Sequence, residues 1–306
     1  MDKDMLFCDY FKSWMDMYKK DAVKDATLKK YQSAYQWLLK LVPDLKLSDL
    51  NKISYQTILN DYAKTHEKQT VIDFHRYLKS AIADAFDEDL IAKDPTRKVV
   101  IKGNKGREKK LKYLSQFELQ LLIKDLDLSN TINYDYLIFL IAKTGLRFGE
   151  ALGLTPNDFD FQKQTIHVNK TWDYKDGTGF MDTKTKSFIR NIPIDWSTST
   201  KFAELIKDMD CDKPIFVQNK SVIYNSTVND VLARHCKNVN IPVISIHSLR
   251  HTHASLLLYA GATLASVSRR LGHSDIVTTE KIYLHIIHEL ESQDTNTIIK
   301  FLSQLG

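Results

Sequence analysis

A run of like charge divides this chain. Between Lys93 and Lys112 stand nine basic residues and only two acidic ones, Asp94 and Glu108, so the segment carries +7 while the rest of the chain sums to −2. The Asp94-Pro95 step and the stretch from Gly103 to Gly106 mark the same region as a linker. A chain so divided folds as two units, one on each side. With 306 residues and 43% apolar content, both can fill a core. Such a tether is either simply solvated or holds a phosphate backbone, and charge alone does not decide between them.

Several classes are excluded early. No stretch reaches the ~18 to 20 apolar residues of a membrane span, and Met1-Asp2-Lys3-Asp4 is not the start of a secretory signal. Cys8, Cys211 and Cys236 are odd in number and far apart, which suits free thiols in a reducing compartment and no metal knuckle. The expectation is a cytoplasmic protein without membrane contact.

The fold class read from the periodicity is mainly α (α+β). Residues 1–95 form a helical unit of about four helices, with Leu28, Tyr31, Tyr35, Leu38, Leu39 and Val42, then Val71, Phe74, Leu78, Ile82 and Ala85, at helical spacing. Pro43 ends the first of these runs, and Ser54 is read as the cap of a shorter helix between them. Residues 96–112 are the basic linker. The second unit, residues 113–290, opens on a capping box at Ser115 to Glu118, and a helix over Tyr134 to Lys143 stops at Gly145. Thr165 to Val168 and Phe188 to Ile194 then read as strands of a small antiparallel sheet of two or three strands. Helices resume over Thr227 to Lys237, His247 to Ala260, Thr263 to Leu271 and Val277 to His288, with stops at Gly261 and Gly272. Residues 291–306 form an amphipathic tail.

Three stretches of the second unit carry chemistry: Thr144-Gly145-Leu146-Arg147, His247-Ser248-Leu249-Arg250, and Leu271-Gly272-His273 leading to Tyr283. His247 and Arg250 share one helix face. A guanidinium is planar, always charged and able to grip two non-bridging phosphate oxygens, so Arg147 and Arg250 together suit a five-coordinate phosphorus. No cluster of carboxylates suggests a metal, and neither metal nor cofactor is expected. Tyr283 supplies a nucleophile once positive neighbours or a base remove its proton, and His247 and His273 stand ready for that. A lysine crowded by cations can protonate a leaving sugar oxygen, and Lys184 and Lys186 lie just ahead of a strand where a hairpin can reach a groove. Taken singly, each feature has an ordinary reading: a half-buried tyrosine, a surface His–Arg pair, a glycine helix end. His251, His253, His285 and His288 are left at that reading.

In this order and with these flanks, the chain resembles the tyrosine recombinases of the phage integrase family. The resemblance runs from Thr144 to His285 and extends to a four-helix, SAM-like core-binding domain at the start. It implies Arg147 and Arg250 as the phosphate-binding arginines, Tyr283 as nucleophile, His247 as base-like proton carrier, His273 as a phosphate hydrogen-bonder and Glu150 in a supporting role. Spacing back from Ile192-Pro193 matches Lys184, ahead of Lys186, to the lysine acid. The two units would clamp duplex DNA, with Lys186, Lys98, Lys102, Lys105, Arg107, Lys109 and Lys110 against its backbone. Strand exchange would pass through a 3′-phosphotyrosine in a homo-tetramer on two sites, the protein being monomeric without DNA, and residues 291–306 packing in trans. DNA-bending or excision factors are possible partners, and integration or excision of a phage or other mobile element is the expected function.

Two departures stand out. Many relatives begin with an arm-binding domain, whereas this sequence starts at the core-binding helices, as a shorter protein or a trimmed one would. Pro156 also falls where many carry tryptophan. A Xer-type resolvase shares all the chemistry. A type IB topoisomerase and an inert DNA-binding regulator fit less well, the first for want of a core-binding unit, the second because it has no use for six reactive side chains.

Overall fold

The computed structural model describes residues 4–105, 113–129, 131–182, 188–217, 222–273, 277 and 280. The chain divides into two compact units, Met1–Lys109 and Lys110–Gly306.

The first unit is built on α1 (Phe7–Tyr18), α2 (Asp25–Leu41), α3 (Lys52–Ala63) and α4 (Lys68–Asp87), the expected four helices. Their apolar faces meet in a core that includes Phe7, Phe11, Trp14, Leu38, Leu59, Leu78 and Ile82. The cap of α3 is Asn51, not Ser54. The Asn51 side chain accepts from the amides of Ile53 and Ser54, and the Ser54 hydroxyl accepts in return from the amide of Asn51. Both residues are short and polar, and the reciprocal pair needs both.

The expected linker, 96–112, is docked in its first part. Val99 and Ile101 pack on the core of the first unit. The Gln56 amide brackets Val100, donating to its carbonyl at 2.8 Å and accepting from its amide at 2.9 Å. Asn104 donates to the His66 carbonyl, and Gly103 lies so close to Lys68 that a Cβ would sit 2.4 Å from the Lys68 nitrogen. The lysines mask two apolar side chains that have a core to join. Residues 106–112 lie outside the described residues.

The second unit comprises α5 (Gln116–Asp125), α6 (Tyr134–Thr144), α7 (Phe148–Leu152), β1 (Phe159–Asp160), β2 (Thr165–Val168), β3 (Lys170–Asp173), β4 (Gly179–Asp182), β5 (Arg190–Pro193), α8 (Trp196–Leu205), α9 (Asn225–Asn238), α10 (Ile246–Tyr259) and α11 (Leu264–Leu271). Helix α6 is buried on nearly every face and packs against α9 and α10, so it is the central strut. The sheet has the order β1-β2-β5, antiparallel throughout, with Ile166 opposite Ile192 and Val168 opposite Arg190. Strands β3 and β4 form a separate hairpin that packs on α7, so the single sheet expected is in fact a three-stranded sheet plus a ribbon. Helix α8 had no sequence expectation. Its start, Trp196-Ser197-Thr198-Ser199-Thr200, has poor helix propensity, and the Asp195 side chain compensates by accepting from Thr198.

Among the described residues, no helix is long and apolar enough to cross a membrane.

Candidate active site

Helix α6 stops where its sequence said it would. Gly145 takes a left-handed conformation, φ 70°, and its amide donates to the Ile141 carbonyl. The chain turns, and Arg147 becomes the N-cap of α7. Glu150, one turn on, accepts from the Arg147 amide at 2.9 Å through Oε2 and from its Nη1 at 2.8 Å through Oε1. Cap and guanidinium are thus oriented by one buried carboxylate. Nη2 of Arg147 also donates to the Gly272 carbonyl at 3.0 Å, and the Phe188 ring stacks 4.5 Å from the guanidinium carbon.

Arg250 reaches the same place from α10. It is 3% exposed, and it donates to the Gly145 carbonyl at 2.6 Å and the Leu271 carbonyl at 2.7 Å. The acceptors at 271 and 272 belong to the end of α11, where Gly272 adopts a left-handed C-cap that turns the chain towards His273. One helix stop receives one arginine, and a second stop receives both.

His247 stands three residues before Arg250 at the start of α10, its ring perpendicular to that of His251 with centroids 5.0 Å apart. Burial lowers its pKa, and the charges of Arg250 and Arg147 lower it further. His273 is pulled down to about 4, first by burial and then by Arg250, Arg147, His251 and Arg190. At neutral pH both imidazoles are therefore uncharged in the DNA-free protein, able to accept a proton or to donate a neutral hydrogen bond. Arg147, Glu150, Thr171, Tyr174, Phe188 and His247 line an open cleft of about 420 Å³.

Of the residues singled out in the sequence, Arg147, Glu150, His247, Arg250 and His273 come together. Lys184, Lys186 and Tyr283 lie outside the described residues, as do Arg107, Lys109, Lys110, His285, His288 and residues 291–306; Val277 and Glu280 are helical, and the rest of the helix expected over Val277 to His288 lies outside the described residues. Lys98, Lys102 and Lys105 are exposed on the first unit. His253 is a core histidine, as its ordinary reading has it. Its Nε2 accepts from Arg270 Nε at 2.9 Å and its Nδ1 donates to the Ala142 carbonyl at 3.1 Å, while burial and then Arg270 push its pKa down to about 3. Arg190 was missed. It grips Glu150 with both terminal nitrogens, and a cation in the short apolar run Phe188-Ile189-Arg190-Asn191-Ile192 was the available signal. Among the described residues, no group of three His, Cys, Asp or Glu side chains is placed to hold a metal.

Residues 112–289 match the phage integrase family, and residues 6–101 match the phage integrase SAM-like domain. The chain is 26% identical to a tyrosine recombinase XerC-like protein of Caldanaerobacter subterraneus, covering 97% of this chain and 83% of the relative. It is 27% identical to the ICEBs1 integrase of Bacillus subtilis, covering 90% and 79%. In fold it is similar to the Tn1549 transposon integrase solved in complex with a circular intermediate DNA. The TM-score there is 0.76 at 21% identity, over 91% of this chain and 95% of that one.

Proposed function

The chain belongs to the phage integrase family of tyrosine recombinases, and from that premise we propose that it cuts and rejoins duplex DNA at specific sites, moving a mobile element into or out of a chromosome. The observation that carries the reading is the convergence of Arg147 and Arg250 on the Leu271–Gly272 turn, with two neutral histidines beside them. The pair forms a cationic seat for a phosphodiester.

The Tyr283 oxygen attacks phosphorus, giving its proton to His247. Arg147 and Arg250 neutralise the non-bridging oxygens as the five-coordinate state forms, and His273 donates a hydrogen bond to one of them. The new bond is phosphorus to phenolic oxygen. The bond that breaks is phosphorus to the 5′ sugar oxygen, which takes a proton from Lys184. A 5′-hydroxyl from a partner strand reverses the sequence, so the energy of the diester is kept in the phosphotyrosine. Glu150 supports Arg147, and Lys186, Lys98, Lys102, Lys105, Arg107, Lys109 and Lys110 hold the DNA backbone.

Two duplexes exchange four strands with one tyrosine for each, so the working form is a homo-tetramer assembled on DNA from monomers. Residues 291–306 pack on a neighbouring protomer, and their deletion weakens synapsis in a native gel; unchanged assembly removes that assignment. The work is done in the cytoplasm, with DNA-bending or excision factors as candidate partners. The likeness to a tyrosine recombinase XerC-like protein favours a second reading, a Xer-type resolvase working by the same chemistry. The DNA target separates the two.

The test is a nicked duplex from the ends of the element that encodes the chain, arranged so that the cleaved fragment is lost and the covalent complex accumulates. The wild-type chain forms an adduct and Tyr283→Phe binds without forming one. An adduct in Tyr283→Phe reassigns the nucleophile.

A further inference from the structure

Arg190 has no part in the chemistry above, yet it lies at the centre of the site. Its side chain is 8% exposed and that of Glu150 3%, and the two form a paired, bidentate contact: Nη2 to Oε2 at 2.9 Å and Nη1 to Oε1 at 3.2 Å. Nε of Arg190 donates to the Arg270 carbonyl at 2.7 Å and Nη1 to the Phe188 carbonyl at 3.0 Å. Gly272 leaves room for this, because a Cβ there would lie 2.8 Å from Arg190 Nη1. The same glycine therefore turns the chain towards His273 and admits a third guanidinium beneath the turn.

We propose that Arg190 is a positioning residue for strand cleavage, neutralising the buried Glu150 carboxylate so that the charge of Arg147 stays available to the scissile phosphate. Glu150 touches both arginines, with Oε1 shared by the two Nη1 atoms. Two guanidiniums and one carboxylate leave one net positive charge facing the cleft. Without Arg190, Arg147 becomes the sole cation of an acid shut away from water, and its charge is spent inside the protein. Burial pushes the Glu150 carboxyl up, but the hydrogen bonds and charge of Arg190, with Arg147 behind them, outweigh that and hold it below its ordinary value, so the acid is ionised throughout the working range. Phe188, whose ring lies over Arg147, stands two residues before Arg190 and gives it a carbonyl acceptor, so one short stretch sets both the carboxylate and the ring beside Arg147.

The inference rests on the recombinase reading, and the experiment separates their failures. The full chain is given the nicked duplex in two forms, one with an ordinary scissile phosphate and one with a neutral methylphosphonate there. A neutral centre asks for no charge compensation. Arg190→Met is expected to slow adduct formation about 100-fold on the phosphate and less than about 3-fold on the methylphosphonate, with DNA affinity unchanged. Arg190→Lys keeps a charge on a single contact and is expected to lose about 10-fold on the phosphate alone. If Arg190→Met does not fold, Arg190→Lys decides on the same pair of substrates. Equal slowing on both substrates, or none on the phosphate, overturns the proposal. A wild-type chain that forms no adduct on either overturns the recombinase reading instead.

Discussion

Arg147 and Arg250 donate to the same oxygen, the main-chain carbonyl of Leu271, at 3.4 and 2.7 Å. Two like charges brought this close repel, and a carbonyl dipole offsets only part of that. A phosphate arriving between them relieves the rest, so the site is built to be completed by an anion.

The fork of Arg250 carries that arrangement, because it spans the Gly145 and Leu271 carbonyls at once. Arg250→Lys keeps the charge but reaches only one of them. Adduct formation on the nicked duplex is expected to fall by about 10²-fold or more, with binding in a gel shift little changed.

The stability of the second unit should fall in mild acid. His253 has an unfolded pKa near 6.5 and a folded value of about 3, so below pH 6.5 the unfolded chain takes up a proton that the native chain refuses. The contribution is complete above pH 6.5 and is lost progressively towards pH 3, and His273, depressed to about 4, acts in the same direction. At pH 5 the loss from His253 alone is about 2 kcal/mol relative to neutral pH, a drop in Tm of about 5 °C. Thermal melts of the DNA-free protein across this range check it, and His253→Gln should show a lower but flatter profile.

Gly145 and Gly261 both have positive φ, 70° and 88°, but different surroundings. A Cβ at Gly145 would lie 2.7 Å from the His253 ring, whereas at Gly261 it meets nothing within 4 Å. Gly261→Ala should cost about 1 kcal/mol for its backbone alone, and Gly145→Ala about 2–3 kcal/mol, since a core ring must move as well. Denaturant midpoints of the two variants give the comparison.

Lys98, Lys102 and Lys105 belong to a segment docked on the first unit, so they present their charges from a fixed surface. Replacing all three with alanine should weaken DNA binding at every sequence tested. The slope of log K against log salt should become shallower by about 0.9 for each phosphate that no longer meets a lysine. An unchanged slope would remove these lysines from the interface.

Much of this was readable from the sequence where local rules decide. A helical run meeting glycine marked Gly145 and Gly272, and Ser115 with Glu118 announced the start of α5, where each side chain caps the other's amide. Arginines and histidines at the expected ends then met because those ends are packed together. What escaped depends on partners distant in sequence. Nothing near Arg190 reveals that it pairs with Glu150, and nothing in Val99 or Ile101 says that the core of the first unit receives them. The β3–β4 ribbon was missed, because each of its strands is only four residues long and its place is set by packing on α7, far from the signals of the main sheet.

The anchors of the two arginines are backbone oxygens at positions 271 and 272, and no codon change can delete a carbonyl. The residue at 271 can therefore drift among apolar side chains, while 272 is held to glycine by the shape of its turn and by the guanidinium packed against it. A deep mutational scan would show the site's tolerance changing abruptly between these two neighbours.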